Sequence, residues 1–314
     1  MHITVRMKKL ILSLYMKVAR HLRGKGLQKI PGVAIFETFM RKTYKNEFTD
    51  EKGMLLIESQ GNKMYVNVKD RGEVTHSLLV FGVYERYETE LLKKITKPGM
   101  TVVDIGANYG YYTLIASKLV GNDGRVYAFE PELVNYYILV KNIETNGYTN
   151  VTPIRKAVSN KQGKVRLYVG KDSTGIHSFS EANVYMSSKN EANFVEVETV
   201  TLDDFFVNAI KNTKVDLIKI DAQGAEGLII EGAGKILGDN NLKIFMEFDP
   251  YMLRNLETEP TKLLHKLENY GFKIKIIDER NHCLTHANVP EIIVRCKQRL
   301  QEEGRGDVNL LLER

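Results

Sequence analysis

Beyond residue 100 the chain alternates between two hydrophobic periods. Compact apolar runs at Thr101–Ile105, Val126–Glu130, Val151–Val158, Val215–Asp221 and Leu242–Phe248 have the length and β-branched content of buried strands. Between them, apolar residues recur every three or four positions and predict helices at Tyr111–Val120, Glu132–Glu144, Leu202–Lys211 and Ala225–Leu237. The alternation continues with a helix at Thr261–Tyr270, a strand at Phe272–Ile277, a helix at Pro290–Gln301 and a strand at Val308–Leu312. Strands and helices alternating over so long a stretch predict an open, doubly wound, mostly parallel α/β sheet with helices on both faces. Lys164–Val169 and Phe194–Val200 also read as strands, around a polar loop, Gly170–Asn193, that is long for a compact domain.

The first 75 residues read differently. Residues 6–23 form an amphipathic pattern, with Ile11, Leu14, Tyr15, Val18 and Leu22 on one stripe and Lys9, Lys17, Arg20 and Arg23 off it. Gly32–Lys45 reads as a second short helix. Met54–Ser59 and Lys63–Val68 flank Gln60-Gly61-Asn62, a hairpin signal. This divides the chain into a basic helical and hairpin extension, 1–75, and a main domain, 76–314. Within the latter, Val83-Tyr84-Glu85 precedes a helix at Tyr87–Ile95, which Pro98-Gly99 stops.

Charge changes the picture only at the start of the chain. Residues 1–45 carry eleven basic residues against Glu37, a local balance of +10 that leaves −4 for the rest of the +6 total. A basic partner surface would therefore be the extension, and two readings of it stand. One is a helix on an anionic membrane surface; the other is a helix packed on the main domain with its basic face in water. The run Leu10–Met16 is too short to span a bilayer and has no small-residue cleavage site. Cys283 and Cys296, with no C-x-x-C pair, argue against a disulfide framework or zinc site and fit a cytoplasmic compartment.

The candidate chemistry gathers at strand ends. The first strand of the main domain delivers Asp104, then a turn containing Gly106 and Gly110, then a helix. Glycines let backbone approach a nucleotide, and helix N–H groups face its anionic part. The spacing D-x-G-x-x-x-G differs from the dinucleotide fingerprint G-x-G-x-x-G. The next strand ends in Glu130, where a carboxylate accepts hydrogen bonds from ribose hydroxyls. Asp221 ends the fourth strand at the switch point of the sheet, and Glu247 lies near the end of the fifth. Lys219, two residues before Asp221, shares its face. It would pair with Asp221 or Glu247, or with Glu226 as a purely structural ion pair. His177, in the polar loop, has an unperturbed pKa near neutrality and is a candidate base; the plain alternative is a solvated side chain. Asp221, Glu247 and Asp249 carry oxygen ligands suited to a divalent cation, but no spacing demands one, and no metal is expected.

These motifs resemble the FkbM family of methyltransferases that use S-adenosyl-L-methionine. The resemblance rests on Asp104–Thr113, Ala128-Phe129-Glu130-Pro131, Thr201-Leu202-Asp203-Asp204, Ile218–Glu226, Glu231-Gly232-Ala233 and Met246-Glu247-Phe248. One departure is Gln223, where the family often has Glu. The resemblance implies a seven-stranded Rossmann-like methyltransferase sheet and methyl transfer to a hydroxyl of a sugar, glycolipid, polysaccharide or natural product. It implies a donor site made from Glu85, Asp104, Gly106, Ala107, Asn108, Gly110, Tyr111, Glu130, Pro131 and Ala157. Asp221, Glu247, Lys219 and His177 are the catalytic candidates. The partner expected is a small-molecule or glycan acceptor, with peripheral membrane contact through residues 6–23. RNA methylation is the competing enzyme reading, weakened because the basic arm has no recognised RNA-binding motif. A third reading is a nucleotide-binding scaffold without catalysis, against which the Asp104, Glu130 and Asp221 set argues.

Overall fold

A computed structural model describes residues 53–170, 173–188, 193–210, 213–238 and 241–314. The helices expected at 6–23 and Gly32–Lys45 lie outside the described residues. The hairpin is present: β1 (Met54–Ser59) pairs antiparallel with β2 (Asn62–Asn67). Helices α1 (Glu73–Phe81) and α2 (Arg86–Ile95) follow, and α1 had no counterpart in the hydrophobic pattern.

The central sheet holds β3 (Thr101–Ile105), β4 (Arg125–Phe129), β5 (Val151–Ile154), β9 (Leu217–Ile220), β10 (Lys243–Phe248), β11 (Lys273–Asp278), β12 (Cys283–His286) and β13 (Val308–Glu313). Their order across the sheet is β12-β11-β13-β10-β9-β3-β4-β5. From β10 to β5 the pairing is parallel; β13 enters antiparallel between β10 and β11. Seven of these strands are the expected ones. The eighth, β12, lies between the expected strand Phe272–Ile277 and the expected helix Pro290–Gln301, and returns from β11 along the outer edge. The connecting turn is held by Asp278, whose carboxylate accepts the N–H groups of Arg280 and Asn281.

Side-chain alternation divides the core between the two faces of the sheet. Val103, Ile105, Ile218 and Ile220 pack on one side, with α6 (Glu226–Glu231) and α8 (Pro260–Asn269). Val102, Val126, Ala128 and Leu217 pack on the other, with α2 and α3 (Tyr111–Val120). Lys219 occupies the latter face of β9, where the pattern calls for an apolar residue.

Three expected elements differ. The run Val151–Val158 breaks at Arg155 and Lys156. Ala157 and Val158 form β6, which pairs with β8 (Asn193–Val200) in a separate sheet completed by β7 (Gly163–Val169). Leu202–Lys211 becomes a π-helical turn at Asp204–Ala209, and Ala225–Leu237 divides into α6 and a 3-10 turn at Ile236–Gly238. The polar loop contains α5 (Glu181–Ser188). The remaining helices are α4 (Leu133–Thr145), α7 (Pro250–Arg254) and α9 (Val289–Glu303).

The hairpin packs directly on the main domain. Asn142 of α4, fully buried, accepts the N–H of Tyr65 at 2.6 Å and donates to the carbonyls of Tyr65 and Tyr109 at 3.1 and 2.8 Å. One side chain thus ties β2 to the turn after β3.

Candidate functional site

A cavity of about 450 Å3 lies above the C-terminal ends of β3, β4, β9 and β10. Its size is ordinary for a small-ligand pocket, roughly 300–1,000 Å3. The topology opens it: the chain leaves β3 toward β4 and leaves β9 toward β10, in opposite directions across the sheet, which makes this the switch point.

The turn after β3 shapes one wall. Gly106 has φ +79°, and a Cβ there would sit 1.9 Å from the carbonyl oxygen of Asp221. Only glycine lets β3 leave the sheet this close to β9. Gly110, φ +89°, caps α3 against Leu139. Four N–H groups of this turn serve the protein itself; the N–H groups expected to face a ligand are those of the helix that follows. Gly106 and Ala107 both donate to the carbonyl of Phe129, and Gly110 donates to that of Ala107. The Asn108 N–H donates to Glu130 at 2.8 Å.

Glu130, 4% exposed, also accepts the N–H of Glu132 at 2.9 Å. Burial pushes its pKa up to about 8, although both N–H bonds pull the other way. Asp104 accepts the Thr113 hydroxyl at 2.5 Å, and burial raises its pKa to about 6. Ala157, Pro131, Phe129 and Val158 add a largely apolar wall. The donor implied by the resemblance, S-adenosylmethionine, fits these residues: a carboxyl for ribose hydroxyls, an apolar slot for a base and an acid at the methionine end. Beside Glu130, the buried side-chain oxygens of Asn108 and Asn135 accept no hydrogen bond among the described residues. They are acceptors suited to a polar ligand's hydroxyl or amino group.

The opposite end of the cavity is acidic. Asp221 follows β9 and Glu247 lies on β10. Gln223, in the left-handed region at φ +50°, donates from Nε2 to Asp221 at 3.0 Å and to Glu247 at 2.7 Å. The Lys219 ammonium lies 3.8 Å from Asp221 and 3.1 Å from Glu88 of α2. Burial pulls the pKa of Lys219 down, but the surrounding carboxylates, Glu88 foremost, raise it well above normal, so it stays charged. Burial, and then Asp221, raise Glu247 well above the usual carboxylate range. The two acids therefore differ: Glu247 favours its protonated form, whereas Asp221 has an ammonium beside it. Glu226 takes no part in an ion pair with Lys219; it accepts the N–H groups of Ala222 and Gly224 instead.

Of the expected site residues, Asp104, Gly106, Ala107, Asn108, Tyr111, Glu130, Pro131, Ala157, His177, Lys219, Asp221 and Glu247 line the cavity. Gly110 lies behind the wall. Glu85 lies beneath it, accepting from Tyr112 at 2.8 Å and from Asn309 at 2.7 Å. His177 lines the cavity from the polar loop. Burial lowers its pKa, its Nδ1 accepts the N–H of Gly170, and the carboxylates acting on it are Glu132 and Asp70. It is neutral and belongs to the Glu130 end of the cavity.

Three residues went unread in the sequence. Glu88 had a visible signal, an acid on the same helical face as the buried Leu91 and Leu92. Asp70 offered only an Asp-x-Gly turn. Arg305, on the cavity rim, pairs with both oxygens of Asp307 and with Glu73, contacts no local pattern reveals.

The family described as Methyltransferase FkbM domain matches residues 104–274. The protein-L-isoaspartate O-methyltransferase of Methanococcoides burtonii is 43% identical over 65 residues, 20% of this chain and 30% of that protein. The chain spans 22% to 36% of the length of the first such relatives. Among solved structures, methyltransferase FkbM from Methylobacillus flagellatus KT is 14% identical, with a TM-score of 0.40 over 90% of this chain and 60% of that one. M. jannaschii TYW2 in complex with AdoMet is 13% identical, with a TM-score of 0.42 over 85% and 87%. These overlaps are loose, and the fold assignment rests on the strand order itself. The matched residues run from the acid before the glycine turn through Glu130 and both acidic strand ends, and the chain belongs to the FkbM methyltransferase family.

Proposed function

We propose that this protein transfers a methyl group from S-adenosylmethionine to a hydroxyl of a sugar-bearing acceptor, in a glycan, glycolipid or polysaccharide. The observation that carries the reading is the Asp221–Gln223–Glu247 arrangement facing the same cavity as Glu130. When bound, the donor supplies a methyl group already activated on a positively charged sulfur. The protein's work is then alignment and removal of one proton. Glu130 holds the ribose and Asp104 the methionine end. Asp221, beside the Lys219 ammonium, accepts the proton of the acceptor hydroxyl. Glu247 in its protonated form, with Gln223, orients neighbouring hydroxyls. Acids and amides at close quarters suit a polyhydroxylated acceptor, because both accept hydrogen bonds from hydroxyl groups.

Peripheral membrane contact through residues 6–23 remains part of this proposal, since lipid-linked acceptors sit there. Among the described residues, no helix is long and apolar enough to cross a membrane. The test is calorimetric titration of S-adenosylmethionine into wild type and Glu130→Ala, followed by acceptor screening. Saturable binding lost in the variant supports the donor site. A folded wild type that binds no donor overturns the reading.

A further inference from the structure

Five donors converge on the carboxylate of Asp70, which lies before the family-matched residues and is only 9% exposed. Two come from its own turn: the Gly72 N–H at 2.9 Å and the Thr75 hydroxyl at 2.7 Å. Two come from Thr174, far along the chain: its N–H at 3.1 Å on Oδ1 and its hydroxyl at 2.9 Å on Oδ2. The fifth is the Tyr109 hydroxyl at 3.4 Å, from the turn after β3. The carbonyl of Thr174 in turn accepts from Asn108 and Asn135 at 3.4 and 3.3 Å. Thr174 therefore has its N–H, its hydroxyl and its carbonyl all tied, on one side to Asp70 and on the other to the residues around Glu130.

The segment held this way is a wall of the cavity. Residues 173–179 line it, adjoining the Asn108–Glu130 side through the Thr174 carbonyl. We propose that Asp70 is a positioning residue of the donor site, holding Thr174 so that this wall stands against the ribose end of the ligand. The assignment rests on the donor-site reading above and extends it beyond the family-matched stretch. A carboxylate accepts all five: Oδ1 takes the two backbone N–H groups and Oδ2 the three hydroxyls. An asparagine amide at the Oδ2 position would reverse the hydroxyl bonds and take the charge out of them. Charge-assisted bonds of this kind are also the stronger ones.

The test uses S-adenosylhomocysteine as the probe, titrated calorimetrically into wild type, Asp70→Asn, Thr174→Val and the double variant of the full chain. Each single variant is expected to weaken binding by about tenfold, the size of one charged hydrogen bond. The double variant should weaken it little beyond the stronger single, because both cut the same link. Exchange of the Thr174 amide hydrogen should quicken in Asp70→Asn. Wild-type affinity in both single variants overturns the assignment. So do losses that multiply independently, since Asp70 would then serve only its own turn. If Asp70→Asn does not fold, Thr174→Val carries the affinity and exchange tests by itself. A wild type that does not bind the probe overturns the donor-site reading and this assignment with it. A wild type that binds beside variants of equal affinity overturns the assignment alone.

Discussion

Gln223 spans Glu247 and Asp221 with one side-chain nitrogen, at 2.7 and 3.0 Å. The bridge between the two strand-end acids is thus an uncharged amide. A glutamate there would place three carboxyl groups together, so one would need to hold a proton. Here the Gln223 amide reaches both acids and adds no third charge.

Gln223→Glu should therefore destabilise the protein in a pH-dependent way. Its neighbours would raise the new acid's pKa in the folded state, so the folded form binds a proton that the unfolded form releases. Stability relative to wild type falls as pH rises from about 5 to 8, by on the order of 2 kcal/mol. Urea melts of both proteins at pH 5 and pH 8 check this. A gap that is constant, or wider at pH 5, contradicts the bridging role.

Donor affinity should also depend on pH, through Glu130. Burial lifts its pKa to about 8 in the free protein. Hydrogen bonds from ribose hydroxyls favour the ionised form, so binding expels a proton below that pH. Affinity should rise between pH 6 and 8, by up to about tenfold per unit, and level off above. In Glu130→Gln the protein's share of that slope disappears and binding is weaker throughout. Titrations in buffers of different ionisation enthalpy read the released proton directly.

The Lys219–Glu88 pair predicts a large effect on stability. Their side chains are 2% and 1% exposed, and removing one partner leaves a buried group uncompensated. Lys219→Met should cost about 3–5 kcal/mol in urea denaturation. Adding Glu88→Leu should recover most of that loss, because a packed apolar pair removes the desolvation penalty. No recovery in the double variant would show that the loss comes from packing.

Gly106→Ala should be worse than a left-handed backbone alone explains. That conformation costs an alanine about 1–2 kcal/mol. The added methyl also meets the Asp221 carbonyl, so β3 and β9 must part at the cavity mouth. Lost donor binding together with a lower melting temperature is the expected pair of readouts.

How far all this was legible in the sequence depended on range. The strand Thr101–Ile105 and the helix Tyr111–Val120 were readable to the residue because their apolar periods and bounding glycines are local. The acids Asp104, Glu130 and Asp221 were readable because parallel strands deliver their last residues to one edge. Val151–Val158 misled because its apolar ends belong to two different sheets, a division set by pairing with β4 and β8. Asp70 and Arg305 were illegible as site residues, and Glu88 as the partner of Lys219, because Thr174, Glu73 and Lys219 are distant from them in sequence. A buried charge shows its purpose only beside its counter-charge.

The placement of β13 bears on how the molecule comes together. It is the last strand in chain order, yet it lies between β10 and β11 rather than at an edge. As the chain emerges during synthesis, β10 must wait with one row of backbone groups unpaired until residues 308–313 arrive. An open, apolar strand edge is a template for neighbouring chains. A version cut short before this strand should leave the Glu130 half of the sheet formed, but aggregate through β10.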